Sequence, residues 1–155
     1  MELTDHIDEN CIISELSAST KEGVLKELAD TAFKSGKIDN AATALSALAE
    51  RESLGSTGVG EQVAIPHAKL PDIEDIIIVV GISRNGVEYQ ASDNQPVKLF
   101  FALLSPEKQM NLHLKTLAKL SRLVKLTDFK SRVMSKDMTP AEILAVLKEE
   151  EANLG

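Results

Sequence analysis

Residues 76–90, IIIVVGISRNGVEYQ, begin with five β-branched side chains in succession, followed by Gly81 and Ile82. A β-branched run without polar alternation is the pattern of a central strand covered on both faces. Asn85-Gly86 comes next, a dipeptide that tolerates the positive φ angles of a two-residue hairpin. Residues 87–90 are therefore expected to return antiparallel to the run. Residues 97–104, VKLFFALL, read as another buried strand.

On either side of these strands the hydrophobic period lengthens to that of a helix. Residues 19–35 carry Val24, Leu25, Leu28, Ala29 and Ala32 on one face, with Ser19 and Glu22 spaced as a capping box and Gly36 as the stop. A second helix is expected from an Asp39 cap through Ala42, Leu45, Leu48 and Ala49 to about Leu54, stopped by Gly55. A loop, GSTGVGEQ, and a short extended stretch, VAIPH at 63–67, lead into the strands. Residues 107–125 and 140–151 close the chain as helices, with a shorter one near 127–134. Two helices, a run of strands and further helices describe an α/β fold. The expected architecture is a three-layer α/β/α sandwich whose mixed β-sheet is flanked by helices.

The bulk composition narrows the function. At 155 residues without an internal repeat or linker, residues 1–155 are expected to form a single domain. Seventeen Lys and Arg against 24 Asp and Glu give a net charge of -7, which repels nucleic-acid backbones and anionic membranes. The start, MELTDHIDEN, is too polar for a signal peptide, and no apolar run is long enough for membrane insertion, so the expected location is cytoplasmic. Cys11 is the sole cysteine, which excludes an internal disulfide and a zinc site of several thiolates. It reads as a small half-buried residue before Ile12 and Ile13.

Chemistry concentrates in GSTGVGEQVAIPHAK, residues 55–69. Three glycines within six residues strip side chains from the segment, so that N–H groups at Ser56, Thr57, Gly58 and Gly60 can approach an anion. No Gly-Lys-Ser/Thr follows, and the next element is extended rather than helical. Neither a Walker loop nor a dinucleotide fingerprint fits, and no cofactor is implied. On its own, a Gly-rich turn between a helix and a strand is more often structural than functional. His67 follows Pro66, whose ring fixes φ and holds Ile65 extended, so the imidazole is presented on a stiff backbone. A neutral imidazole is a competent nucleophile, and phosphoryl transfer asks mainly for positioning and charge stabilisation.

The remaining candidates have plain structural readings as well. His113 shares a helical stripe with Leu117, Leu120 and Val124, where a histidine is usually a satisfied, partly buried side chain. Arg51, in the last turn of the second helix, sits favourably at the negative end of its dipole. Glu61 reads as a solvated loop residue and His6 as part of the polar start. The histidines and Glu61 lack the spacing of a zinc motif, so no metal is expected.

RESLGSTGVGEQVAIPHAK, residues 51–69, closely resembles the active-site signature of the IIA domains of the bacterial phosphotransferase system. The class is the fructose/mannitol type, which includes the nitrogen-regulatory IIA proteins. SDNQPVKLFFALLSP at 92–106 and HLKTLAKLSRLV at 113–124 are similar to later blocks of that family. The resemblance implies that His67 accepts a phosphoryl group from the phosphocarrier HPr or its nitrogen-branch counterpart. It implies that His113 holds the phosphoryl oxygens, and that Arg51 recognises the phosphoryl group or docks the partner. Glu61 is assigned to orienting His113 or Arg51, because a carboxylate beside a phosphoryl dianion would repel it. Gln62 and Ala68 stand where Gly or Asn, and Gly, are common in the family. Ala68 still leaves room for nearby backbone to donate to phosphate.

The resemblance also implies a phosphohistidine carrier, a phosphotransferase component rather than a stand-alone enzyme. The chain ends at Gly155 after an acidic helix, and the DNQPV block favours the nitrogen-regulatory group, whose phosphorylation state governs regulatory partners. A fructose/mannitol-type subunit that passes its phosphoryl group to a IIB domain is the alternative. A non-catalytic interaction module of the same fold is another. A hydrolase has no Ser-His-Asp set to rest on.

Overall fold

A computed structural model describes residues 2–154. Among these, five α-helices flank a six-stranded mixed sheet. The strands are β1 (Ile12–Ile13), β2 (Gly58–Gly60), β3 (Val63–Ala64), β4 (His67–Leu70), β5 (Ile77–Val87) and β6 (Val97–Pro106). The helices are α1 (Lys21–Lys34), α2 (Ala41–Ser53), α3 (Met110–Leu126), α4 (Phe129–Met134) and α5 (Pro140–Asn153). The order across the sheet is β1-β5-β6-β3-β2, and β4 also lies against β6. Only β5–β6 and β2–β3 are antiparallel.

Strand alternation sorts the core into two layers. Ile77, Val79, Phe100, Ala102 and Leu104 meet α1 and α2 through Leu25, Leu28, Ala44 and Leu48. Ile76, Ile78, Val80, Ile82, Leu99, Phe101 and Leu103 meet α3, α4 and α5 through Leu120, Leu123, Phe129, Val133, Ile143 and Leu147. The uninterrupted apolar runs are thus explained by burial on both faces, and the α/β sandwich is the one expected. Among the described residues no helix is long and apolar enough to cross a membrane.

Several local expectations are corrected. Asn85-Gly86 makes no hairpin, because β5 continues to Val87, which pairs with Val97 of β6 as Ile77–Ile82 pair with Leu104–Leu99. Gly86, at φ 81°, sits in an irregularity where five steps along β5, from Ile82 to Val87, match two along β6. The chain reverses instead in residues 88–96, where Gln90 and Asn94 take positive φ. The N-caps fall one residue later than expected, on Thr20 and Asn40, whose side chains accept from Gly23 and Thr43 N–H. In α2 the buried face is Ala44, Leu48 and Glu52, so Ala42 and Ala49 are exposed.

The expected loop at 55–62 holds β2, and His67 begins a strand instead of ending one. Val63, Ala64 and His67 pair with Leu99, Phe100 and Leu103 in order, so β3 and β4 run as one path beside β6, broken at Ile65 and Pro66. Proline cannot donate to a ladder, but its carbonyl still accepts from Leu103 N–H at 2.9 Å. The break leaves His67 at a fresh strand start, on a rigid support.

Candidate functional site

The pleat decides what His67 meets. Val63 and Ile65 face the α3 side whereas Ala64, Ala68 and Leu70 face α1 and α2, so His67 and Lys69 point toward α3. On β6, Leu99, Phe101 and Leu103 also face α3, and Ser105 continues that row beside Lys69. The first turn of α3 lies over them and brings in His113. The His67 and His113 ring centroids are 5.4 Å apart, tilted by 57°. From the other layer the C-terminal turn of α2 reaches round the sheet edge with Arg51 and Leu54. Together they line an open cleft of about 410 Å³, joined by Met110, Leu114 and Leu117.

Nδ1 of His67 lies 2.7 Å from the carbonyl oxygen of Ile65. A carbonyl can only accept, so Nδ1 carries the proton and Nε2 keeps its lone pair. The carbonyl is positioned by Pro66, which holds Ile65 extended two residues before the ring. Burial lowers the pKa of His67 below its ordinary value; the Ile65 carbonyl opposes this and Arg51 adds to it. The ring is therefore neutral at pH 7. His113, 4% exposed, accepts or donates through Nδ1 to Ser105 Oγ at 2.7 Å. Burial, then the charges of His67 and Lys69, push its pKa down to about 4.

A pH signature follows from His113. Its folded pKa of about 4 lies below the ordinary 6.5, so the unfolded chain takes up a proton first as pH falls. The stability present above pH 6.5 is lost on descending toward pH 4. Between pH 7 and 4.5 this single group is expected to remove roughly 2–3 kcal/mol. Urea titrations of the protein and of His113→Asn at both pH values isolate it from the carboxylates. An identical pH dependence in the two proteins contradicts a buried neutral imidazole.

Arg51 both docks on its own helix end and faces the cleft. Its Nη1 donates to Gly55 O at 2.8 Å, the expected use of a cation at a helix C-terminus. That bond pins the guanidinium beside His67, with its other donors available.

The structure does not bring Glu61 into this group. It sits in the turn between β2 and β3 at φ 57°, exposed, with its N–H on Asp93 and its carbonyl accepting from Lys130. Five residues, including β3, separate it from His67, and it lies outside the cleft that His113 and Arg51 line. The Gly-rich segment is likewise turned away. Thr57 is buried, and its N–H and hydroxyl both donate to Glu52, at 2.7 and 2.6 Å. Ser56 Oγ donates to Tyr89 O and accepts from Gly58 N–H. A Cβ on Gly58 would stand 2.7 Å from Ala91 Cβ, so that glycine permits close packing. Gly60, at φ 90°, makes the turn that returns β2 to β3. Ala68 lines the cleft, but in the parallel register of β4 and β6 its N–H is a ladder donor.

Three features escaped the sequence reading. Glu52 anchors the 55–57 segment from inside α2, and the period Ala44, Leu48, Glu52 marks it as buried. Ser105 is fully buried under His113, as the alternation of β6 requires. Leu54, Met110 and Leu114 are 81%, 47% and 56% exposed around the cleft, an apolar rim with an open, partly charged floor. His6 lies elsewhere, 3.6 Å from Asp75. Among the described residues no three His, Cys, Asp or Glu side chains gather as metal ligands.

Comparison with known proteins bears on the family and the fold. Residues 5–150 match the family model described as phosphoenolpyruvate-dependent sugar phosphotransferase system, EIIA 2. A nitrogen regulatory protein from Bradyrhizobium diazoefficiens is 37% identical over 134 residues, which cover 86% of each chain. A fructose-specific EIIABC component of the phosphotransferase system from Bacillus subtilis is 32% identical over 143 residues. That match takes in 92% of this chain but 22% of the Bacillus protein, so the chain spans under a quarter of that relative. The crystal structure of nitrogen regulatory protein IIA-Ntr from Neisseria meningitidis superimposes with a TM-score of 0.85 at 27% identity, covering 94% of this chain and 98% of that one.

Proposed function

Because this chain belongs to the EIIA 2 family of the phosphoenolpyruvate-dependent sugar phosphotransferase system, and is a phosphoryl carrier of the IIA type, we propose that Nε2 of His67 is its phosphoryl acceptor. The observation that carries this reading is the hydrogen bond from His67 Nδ1 to Ile65 O, which leaves the Nε2 lone pair in the open cleft. In transfer, the N–P bond of a phosphohistidine donor breaks as the Nε2–P bond forms, in line. The proton stays on Nδ1, donated to the Ile65 carbonyl oxygen, which helps to carry the positive charge of the substituted ring. His113 and the free edge of the Arg51 guanidinium meet the phosphoryl oxygens.

The donor is HPr or its nitrogen-branch counterpart. Leu54, Met110 and Leu114 support a protein donor, since exposed apolar side chains around a reactive group are what a docking partner covers. Residues 1–155 act as one domain, in the cytoplasm, where the phosphoenolpyruvate-driven donors operate. Incubation with phosphoenolpyruvate, enzyme I and HPr is expected to add one acid-labile phosphoryl group. A chain left unmodified by competent donors would overturn the assignment.

The regulatory branch is the preferred role, supported by the near full-length match to a nitrogen regulatory protein and by the IIA-Ntr superposition. The fructose-specific likeness supports the alternative, onward transfer to a IIB domain. Phosphate adds about two negative charges inside the apolar rim, enough to change which partner surface fits there. Binding of a regulatory partner that differs between the phosphorylated and unphosphorylated forms distinguishes signalling from relay. A non-catalytic module would bind its partners unchanged after His67 is replaced.

His113→Ala is expected to slow phosphoryl transfer roughly 10- to 100-fold, the scale of one hydrogen bond to a charged group, while the protein stays folded. Rapid-quench assays of uptake and of transfer onward read this directly. Unchanged rates would remove His113 from the chemistry.

A further inference from the structure

Two neutral imidazoles share one cleft, and either could in principle take the phosphoryl group. We propose that Ser105 is a positioning residue that holds His113 in the Nε2–H tautomer, making it a donor to the phosphoryl oxygens and not a second acceptor. The inference deepens the carrier reading and rests on it for its functional meaning.

The geometry assigns the proton. Ser105 Oγ is fully buried at the end of β6, and among the described residues its hydroxyl has one partner, His113 Nδ1 at 2.7 Å. If the ring donated through Nδ1, the serine proton would be left without an acceptor and away from water. If the serine donates, both groups are satisfied, and the ring proton moves to Nε2. His113 lines the cleft beside His67, so that Nε2–H is the polar edge it offers there.

His67 is wired the opposite way. The Ile65 carbonyl cannot donate, so it fixes the proton on Nδ1 of His67 and frees Nε2. A carbonyl beneath one ring and a hydroxyl beneath the other thus divide the roles of nucleophile and donor. Both supports lie along the line where β4 runs beside β6: Pro66 O, next to Ile65, accepts from Leu103 N–H, and Ser105 pairs with Lys69. Their spacing is therefore held by backbone, not by mobile side chains. An Nε2 lone pair on His113 would instead face the phosphoryl dianion, repel it and compete for it.

Long-range 1H–15N correlation of the imidazoles in 15N-labelled, unphosphorylated protein at pH 7 reads both tautomers. The expected spectrum has His67 as Nδ1–H and His113 as Nε2–H. In Ser105→Ala, His113 is expected to populate both tautomers and transfer to slow by about 10-fold, with the donor KM little changed; Ser105→Thr, which keeps the hydroxyl, restores both. An Nδ1–H tautomer for His113 in the unaltered protein overturns the proposal, whatever the variants do. So does a Ser105→Ala protein with the original tautomer and rate. Because the spectrum is taken before any phosphorylation, failure of His67 to accept a phosphoryl group would strike the carrier reading and leave the tautomer result standing.

Discussion

His67→Ala is expected to yield a folded protein that takes up no phosphoryl group. The ring is half-buried at the mouth of an open cleft, and its hydrogen bond runs to a carbonyl two residues away. Its removal creates no sealed cavity and orphans no distant donor, so the cost to stability should stay within about 1 kcal/mol. The chemical cost is total, because the Nε2 lone pair held open by the Ile65 carbonyl is lost with the ring. Lys69 and Arg51 are cations, and His113 turns an N–H toward the cleft if Ser105 donates to it. Phosphoryl incorporation, followed by mass measurement under neutral and acidic conditions, gives the result. Acid-labile uptake at the original rate in His67→Ala, with the fold intact by circular dichroism, would place the acceptor elsewhere. Uptake that reappeared on His113 would contradict the tautomer assignment as well.

The layers of this fold were legible because hydrophobic burial writes a period into the chain. The runs at 76–82 and 97–104 are covered on both faces, and the helices α1, α3 and α5 appear within a few residues of their expected positions. The failures are local and have physical causes. Ser19 and Thr20 share capping chemistry, as do Asp39 and Asn40, and only the packing of the first turn chooses between neighbours. Asn85-Gly86 offered a turn, but β5 resumes its pairing with β6 at Val87, and the dipeptide is absorbed in the irregularity between Ile82 and Val87. Long-range pairing of this sort leaves no mark in a local window.

At the site, the stiff support of His67 was legible from Pro66, whereas the residues around it were not. The glycines suggested an anion cradle, yet Gly58 answers to Ala91 and Gly60 to a turn. The family resemblance assigned Glu61 to orienting His113 or Arg51, but the turn between β2 and β3 holds it away from both. Glu52 drew no attention beside Arg51, although the two are adjacent on a helix and must point about 100° apart. That angle separates a side chain that faces the cleft from one that faces the core.

Glu52→Ala should therefore be the most damaging single substitution outside the hydrophobic layers, at a cost of about 3–5 kcal/mol. Its side chain is 5% exposed and sits 3.0 Å from Lys21 Nζ, whose side chain is 14% exposed. It also accepts from Thr57 N–H, Thr57 Oγ1 and Tyr89 OH, at 2.7, 2.6 and 3.1 Å. Burial pushes the Tyr89 phenol well above its ordinary value, so the hydroxyl remains a donor to the carboxylate. Truncation leaves an ammonium and three donors facing a vacated pocket, and the penalty of the unpaired charge outweighs the lost contacts. Against a typical stability of about 5–15 kcal/mol, that loss takes a large share of the total.

The same network ties α1, α2, the 57 turn and residue 89 together, and Gly55, which receives Arg51, lies within it in sequence. Equilibrium unfolding in urea of Glu52→Ala, Lys21→Met and the double variant separates charge from structure. The double variant is expected to be less destabilised than the sum of the singles, since it removes both buried charges together. Phosphoryl uptake by Glu52→Ala, measured where it remains folded, should also fall, because loosening the 55–57 segment releases the guanidinium of Arg51 from its place beside His67. A single variant within about 1 kcal/mol of the unaltered protein would mean that the carboxylate is solvated and that Arg51 is held by Gly55 alone.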